Sequence, residues 1–163
     1  MATWSEFAAA APDIASETRR LIYARGDGEA LLATVRDDDP PRIHPVNVGI
    51  VGDGLYVFVI GRSPKRRDLE LDGRYALHTH QDPAAPSEAA LRGHARLVSD
   101  ADERAQVAAG WAFGVDGTYT LFAFNIEHAV LGVRPTADDW PPVYSSWREG
   151  GPGRSERSAE AAG

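Results

Sequence analysis

Between Ala30 and Val133 the chain breaks into six short apolar runs: "ALLATVR", "RIHPVNVGIV", "LYVFVIG", "RYALHTH", "EAALRGHARLV" and "TYTLFAFNIEHAVLGV". Their length, their period of two and their Val, Leu, Tyr and Phe content mark them as strands. The turn "GDG" at Gly52–Gly54 is so short that the strands flanking it must be antiparallel neighbours, since a parallel pair needs a long crossover. Helical character is confined to the start of the chain and to residues near 101–110. The expectation is a mainly β protein with flanking helices: a small antiparallel barrel of six or so strands. A barrel of that size has a filled interior, so a ligand must bind outside it or at its mouth.

Individual residues refine this reading. Pro45 inside the second run predicts an edge position or an interrupted ladder, and Gly93 predicts a bulge or a close backbone approach. Thr3 and Glu6 have capping-box spacing, and Pro12-Asp13 suits the first turn of a second helix. Ile14, Thr18, Leu21 and Ile22 then share one face, and Gly26 and Gly28 end the helix. Ser99–Asp102 and Asp100–Glu103 are alternative caps for the helix near 101–110. Residues 1–148 read as one domain with an N-terminal helical segment, 1–26. The tail from Glu149, "EGGPGRSERSAEAAG", has almost no apolar side chains and is expected to be disordered.

The chain carries a net charge of -7, yet Arg62–Arg67, "RSPKRR", holds four cations and a serine. An acidic protein is a poor match for nucleic acid, which needs a broad basic footprint, so a local cluster suits a small anionic ligand. Ser63 can cap a helical turn that Pro64 opens, which would aim free N–H groups at the anion. One hydroxyl cannot fully do both, so capping and anion binding compete. The bland alternative is a solvated turn whose cations pair with Asp68, Glu70 and Asp72. No cysteine is present, which excludes disulfides and thiolate metal sites. There is no secretory pattern and no run of eighteen apolar residues, so a cytoplasmic protein without a membrane partner is expected.

From about Glu29 to Asp100 the order "ALLATVR", "PRIHPV", "DGLYVF", "SPKRRDLELDGRYALH", "EAALRGHARLVSD" resembles the pyridoxamine 5'-phosphate oxidase-like family of FMN-binding split barrels. The late "SSWREG" resembles its closing Trp-Arg segment. The resemblance implies a homodimer of split β-barrels with two flavin sites at the subunit interface. The cofactor would be FMN, or F420 as in some branches; a few members bind haem. It also implies that Arg42 contacts the cofactor phosphate and that the backbone of Ile43, His44, Pro45 and Val46 lies against the ring. Ser63, Lys65 and Arg67 would complete the phosphate cradle, and Trp147 rather than Trp140 would stack beside the ring. Trp4 and Trp111 read as packing residues. Three positions depart from the oxidases proper: Asn47 is neutral where they are basic, Pro64 replaces a basic residue, and Glu88 stands for a glutamine. Vitamin B6 oxidation is therefore not expected.

The resulting expectation is a flavin-dependent oxidoreductase moving hydride to or from a small conjugated substrate, with no identifiable catalytic side chain. The alternatives are an F420-dependent reductase, a non-catalytic flavin or haem binder with His44, His78 or His80 as axial ligand, and a cupin-like metal enzyme. The last would use His78 and His80, joined by Glu88 and His94 if the sheet brings them near. Histidines held by ordinary hydrogen bonds are the favoured reading, so no metal site is expected.

Overall fold

The computed structural model describes residues 1–151. Seven strands form one antiparallel sheet: β1 (Glu29–Thr34), β2 (Arg42–Val51), β3 (Gly54–Ile60), β4 (Arg74–Thr79), β5 (Glu88–Leu97), β6 (Tyr119–Val133) and β7 (Val143–Arg148). Their order is β3-β2-β1-β4-β5-β6-β7, and a further β3–β6 pairing closes the first six into a barrel. β6 is long enough to do two jobs. Its first part, Tyr119–Ala123, pairs with β3, and its last part, His128–Val133, pairs with β7. The interior is filled by Leu32, Leu55, Val57, Leu91, Phe122, Phe124 and Ile126, all fully buried. Each such side chain contributes about 1.5–3 kcal/mol on burial.

The helices cover the ends. α1 (Trp4–Ala10) is started by Thr3, whose side chain and backbone form the expected capping box with Glu6. α2 (Pro12–Ile22) opens on Pro12 and buries Ile14, Ala15, Thr18, Leu21 and Ile22. α4 (Ala101–Ala109) is capped by Asp100 accepting from the Glu103 N–H, which decides between the two caps the sequence allowed. Trp4 and Trp111 are packing residues as expected: Trp4 meets Phe7 edge-on at 5.5 Å, and Trp111 meets Phe58 edge-on at 4.9 Å. The late segment holding Trp147 shows no apolar alternation in sequence, yet it forms a strand, β7.

Two predicted irregularities are present. The β5–β6 register shifts between Arg92 and Gly93, and a Cβ on Gly93 would lie 2.0 Å from the Asn125 carbonyl oxygen. The β2–β3 ladder spans only Val48–Val51, so among the described residues Arg42–Asn47 have β1 on one side and no strand on the other. Val48 N–H bonds Gly28 on the β1 side. By alternation, Ile43, Pro45 and Asn47 aim their backbone groups at the open side. Pro45 thus lacks an N–H where no partner waits for one.

Candidate functional site

At the mouth of the barrel the chain leaves β3, turns through Gly61–Ser63 and enters the eight-residue helix α3 (Pro64–Leu71). Between this corner and the free half of β2 lies a groove of about 650 Å³. Arg36, Arg42 and His44 line one wall; Arg62, Ser63, Arg66 and Arg67 line the other. The sequence placed this cationic turn correctly. It could not tell which cations are already engaged.

Arg42 is engaged. Its guanidinium donates to both oxygens of Asp68 at 2.8 and 3.1 Å and to Asp39 at 3.3 Å. Asp68 is 1% exposed and also accepts from the Thr34 hydroxyl at 2.9 Å. The Thr34 hydroxyl has then given away its proton, so His44 Nε2, 3.3 Å away, donates to it and leaves Nδ1 unprotonated. Burial, followed by the nearby charge of Lys65, holds the His44 pKa below its usual value. Near neutral pH the groove therefore meets an uncharged imidazole. Arg66 is engaged too, with Glu70 at 2.8 Å and the Gly61 carbonyl at 3.1 Å.

Arg62, Lys65 and Arg67 have no carboxylate partner among the described residues. Ser63 occupies the N-cap position of α3 but makes no side-chain cap bond, and its hydroxyl is buried without a partner among the described residues. A buried hydroxyl left unpaired is unfavourable by about 1–3 kcal/mol, which makes this atom the most telling in the groove. Beside it the first N–H groups of α3 have no intrahelical acceptor, and three uncompensated cations stand near. An orphaned donor, a helix N-terminus and surplus positive charge together fit a phosphate.

The other predicted residues are distributed more widely. Lys65 is half-buried and near enough to depress the His44 pKa, but it is not part of the groove wall. Val46 is buried; Ile43, 70% exposed, and Pro45 face away from it on the outer surface of the sheet. Trp147 packs on Phe7 at 5.1 Å and does not line the groove, while Trp140 is exposed with Arg134 over its ring. Asn47 donates to the Asp27 carbonyl. Glu88 accepts from Tyr144 and Gln81 and lies 3.4 Å from His78. His94 pairs instead with Glu127, and His80 lines a separate small cavity beside Arg20 and Arg25. Among the described residues, no group of three or more His, Asp or Glu side chains is arranged to hold a metal ion.

No family model and no curated protein sequence matches this chain. Solved structures do. HutZ, the heme storage protein from Vibrio cholerae, is 20% identical with a TM-score of 0.61 over 74% of this chain and 94% of its own. PhzG from Burkholderia lata, solved with tetrahydrophenazine-1-carboxylic acid, is 13% identical with a TM-score of 0.58 over 77% and 78%. A pyridoxamine 5'-phosphate oxidase candidate from Listeria innocua is 18% identical with a TM-score of 0.54 over 69% and 94%. The fold is the split barrel. At these identities the likeness concerns architecture alone. The cationic groove opens beside the free half of β2. No described helix is long and apolar enough to cross a membrane.

Proposed function

We propose that residues 1–148 form a cofactor-binding split barrel that holds FMN, or F420, by its phosphate in the cationic groove, as a cytoplasmic homodimer, and acts as a flavin-dependent oxidoreductase on a small conjugated substrate. The buried, partnerless Ser63 hydroxyl at the start of α3 carries this reading. Ser63 would donate to a phosphate oxygen, the α3 N–H groups would add to it, and Arg62, Lys65 and Arg67 would supply charge. Arg42, already committed to Asp68, would act as a fixed wall of the site with one face toward the anion. The Ile43–Val46 stretch of β2 would border the ring. When bound, the cofactor supplies the hydride chemistry; the chain supplies anchoring, orientation and the uncharged His44.

FMN and F420 differ in the length and charge of their tails, and the surplus of cations at Arg62 and Arg67 suits either. A second reading, a haem binder without turnover, draws support from the likeness to HutZ, which is named as a heme storage protein. The ultraviolet–visible spectrum of gently purified protein separates the three. A flavin spectrum supports FMN, a colourless preparation that quenches F420 fluorescence supports F420, and a Soret band supports haem. Calorimetric titration with FMN should then show Lys65→Ala weaker by roughly tenfold or more, because charge-assisted bonds contribute about 1.5–3 kcal/mol. An unchanged affinity removes Lys65 from the cradle, and a protein that takes none of the three ligands ends the proposal.

A further inference from the structure

A second cleft, of about 690 Å³, lies on the outer face of the sheet, away from the cationic corner. The register defines its floor. Ala33 pairs with Ala76, Ala76 with Arg92, Arg92 with His128, and His128 with Arg148, so these five side chains form one row across five strands. Neighbours in such a row share a face and stand about 5 Å apart. One half of the row is small and apolar, with Val35 and Pro41 beside it; the other half is basic.

The charges at the basic end are unequally compensated. Arg74 is engaged with Asp72, Glu127 with His94, and Glu149 with the amino terminus of Met1. Arg92 and Arg148 have no carboxylate partner among the described residues. The polar contact that Arg92 does make is to His128 Nδ1, at 2.5 Å. A guanidinium can only donate, so His128 Nδ1 is the acceptor and its proton resides on Nε2. Burial first, then Arg92 and Arg148, keep that ring below its usual pKa, so it presents a neutral N–H donor. The lining's three arginines face two glutamates, leaving one net positive charge. A monoanion balances that; a phosphate dianion would overshoot it against Glu127 and Glu149.

We infer that this cleft is a second binding site, separate from the cationic groove, for a planar ring compound bearing one carboxylate. The carboxylate lies between Arg92 and Arg148 over His128, and the ring covers Ala33 and Ala76. Arginine forks are the side chains best shaped for a carboxylate, and two alanines leave a flat floor. As a statement about substrate the inference rests on the oxidoreductase reading; as a binding site it stands apart from it.

The test is fluorescence titration of the full chain with 2-naphthoate, 2-naphthamide and 2-naphthyl phosphate, alongside calorimetric titration with FMN. The expected result is saturable binding of one naphthoate per chain, at least tenfold weaker for the amide and for the phosphate. Arg92→Gln and Arg148→Gln should each weaken naphthoate about tenfold and leave FMN affinity unchanged. Arg92→Lys, which keeps charge but not the fork, should fall between Arg92→Gln and the unmodified chain. Equal affinity for acid and amide, no naphthoate binding, or insensitivity to both arginine substitutions overturns the inference. So does a parallel loss of FMN affinity in Arg92→Gln, which would make this cleft part of the cofactor site. Failure of FMN to bind while naphthoate still binds overturns only the cofactor reading.

Discussion

Replacing Ser63 with alanine should move stability and binding in opposite directions. In the unliganded protein the hydroxyl is buried with neither a cap bond nor any other partner. Alanine removes a group whose unpaired burial is unfavourable by about 1–3 kcal/mol. The usual penalty of about 1 kcal/mol for losing an N-cap does not apply, because no cap bond exists to lose. Allowing for the small void left behind, the net expectation is a gain of about 1 kcal/mol, which in a chain of this size raises Tm by roughly 2–4 °C. Toward a phosphate-bearing ligand the sign reverses. One hydrogen bond to a charged acceptor contributes about 1.5–3 kcal/mol, so FMN affinity should fall by roughly tenfold or more. Thermal unfolding without ligand and calorimetric titration with FMN measure the two halves independently. A Tm that drops by several degrees would mean the hydroxyl caps α3 after all. An unchanged FMN affinity would mean that its isolation has nothing to do with a ligand.

Asp68→Asn leaves the part-exposed Arg42 guanidinium without its main counter-charge. Breaking a buried pair costs about 3–5 kcal/mol, but solvent reaches more than a third of Arg42, so a loss near ~2 kcal/mol is expected as a lower urea midpoint at unchanged slope. Gly93→Ala drives a Cβ into the Asn125 carbonyl of the adjoining strand and should cost about 1–3 kcal/mol in the same assay; a neutral result would mean β6 yields there. His44 and His128 both have folded pKa values lowered, chiefly by burial, from the ordinary 6.5. Their stabilising share is therefore complete above that value and is lost as pH falls through the depressed folded values. Urea titrations from neutral to about pH 5 should show a decline that is shallower in a His44→Gln, His128→Gln double variant.

The strands were legible because their apolar runs are bounded by Gly, Pro and Asp, and β6 was legible as a strand long enough to bend. Local chemistry also read through: the Thr3–Glu6 box, the Pro64 start of α3, the exception at Pro45 and the bulge at Gly93. β7 escaped because "VYSSWR" mixes serines into a six-residue run and has no turn signal tying it to a partner strand. The site was half-legible for a physical reason. A sequence displays where cations cluster and which lie one helical turn from a carboxylate, as Arg66 does from Glu70. It does not display a pair made across the fold. Arg42 is neutralised by Asp68, twenty-six positions away, and Arg92 meets His128 thirty-six positions away. The outer cleft was missed because its five floor residues come from five different strands and form no motif in any one of them.

The open half of β2 has a consequence for how the protein behaves in a crowded solution. An unpaired strand edge invites another chain to zip onto it, the first step toward insoluble aggregates. Pro45 sits midway along that stretch, between Ile43 and Asn47, where its ring removes the central N–H a stranger's carbonyl would seek. The same imino acid that leaves the gap unfilled within one molecule also keeps foreign strands from sealing it, so Pro45→Val should trade little folding energy for a marked loss of solubility.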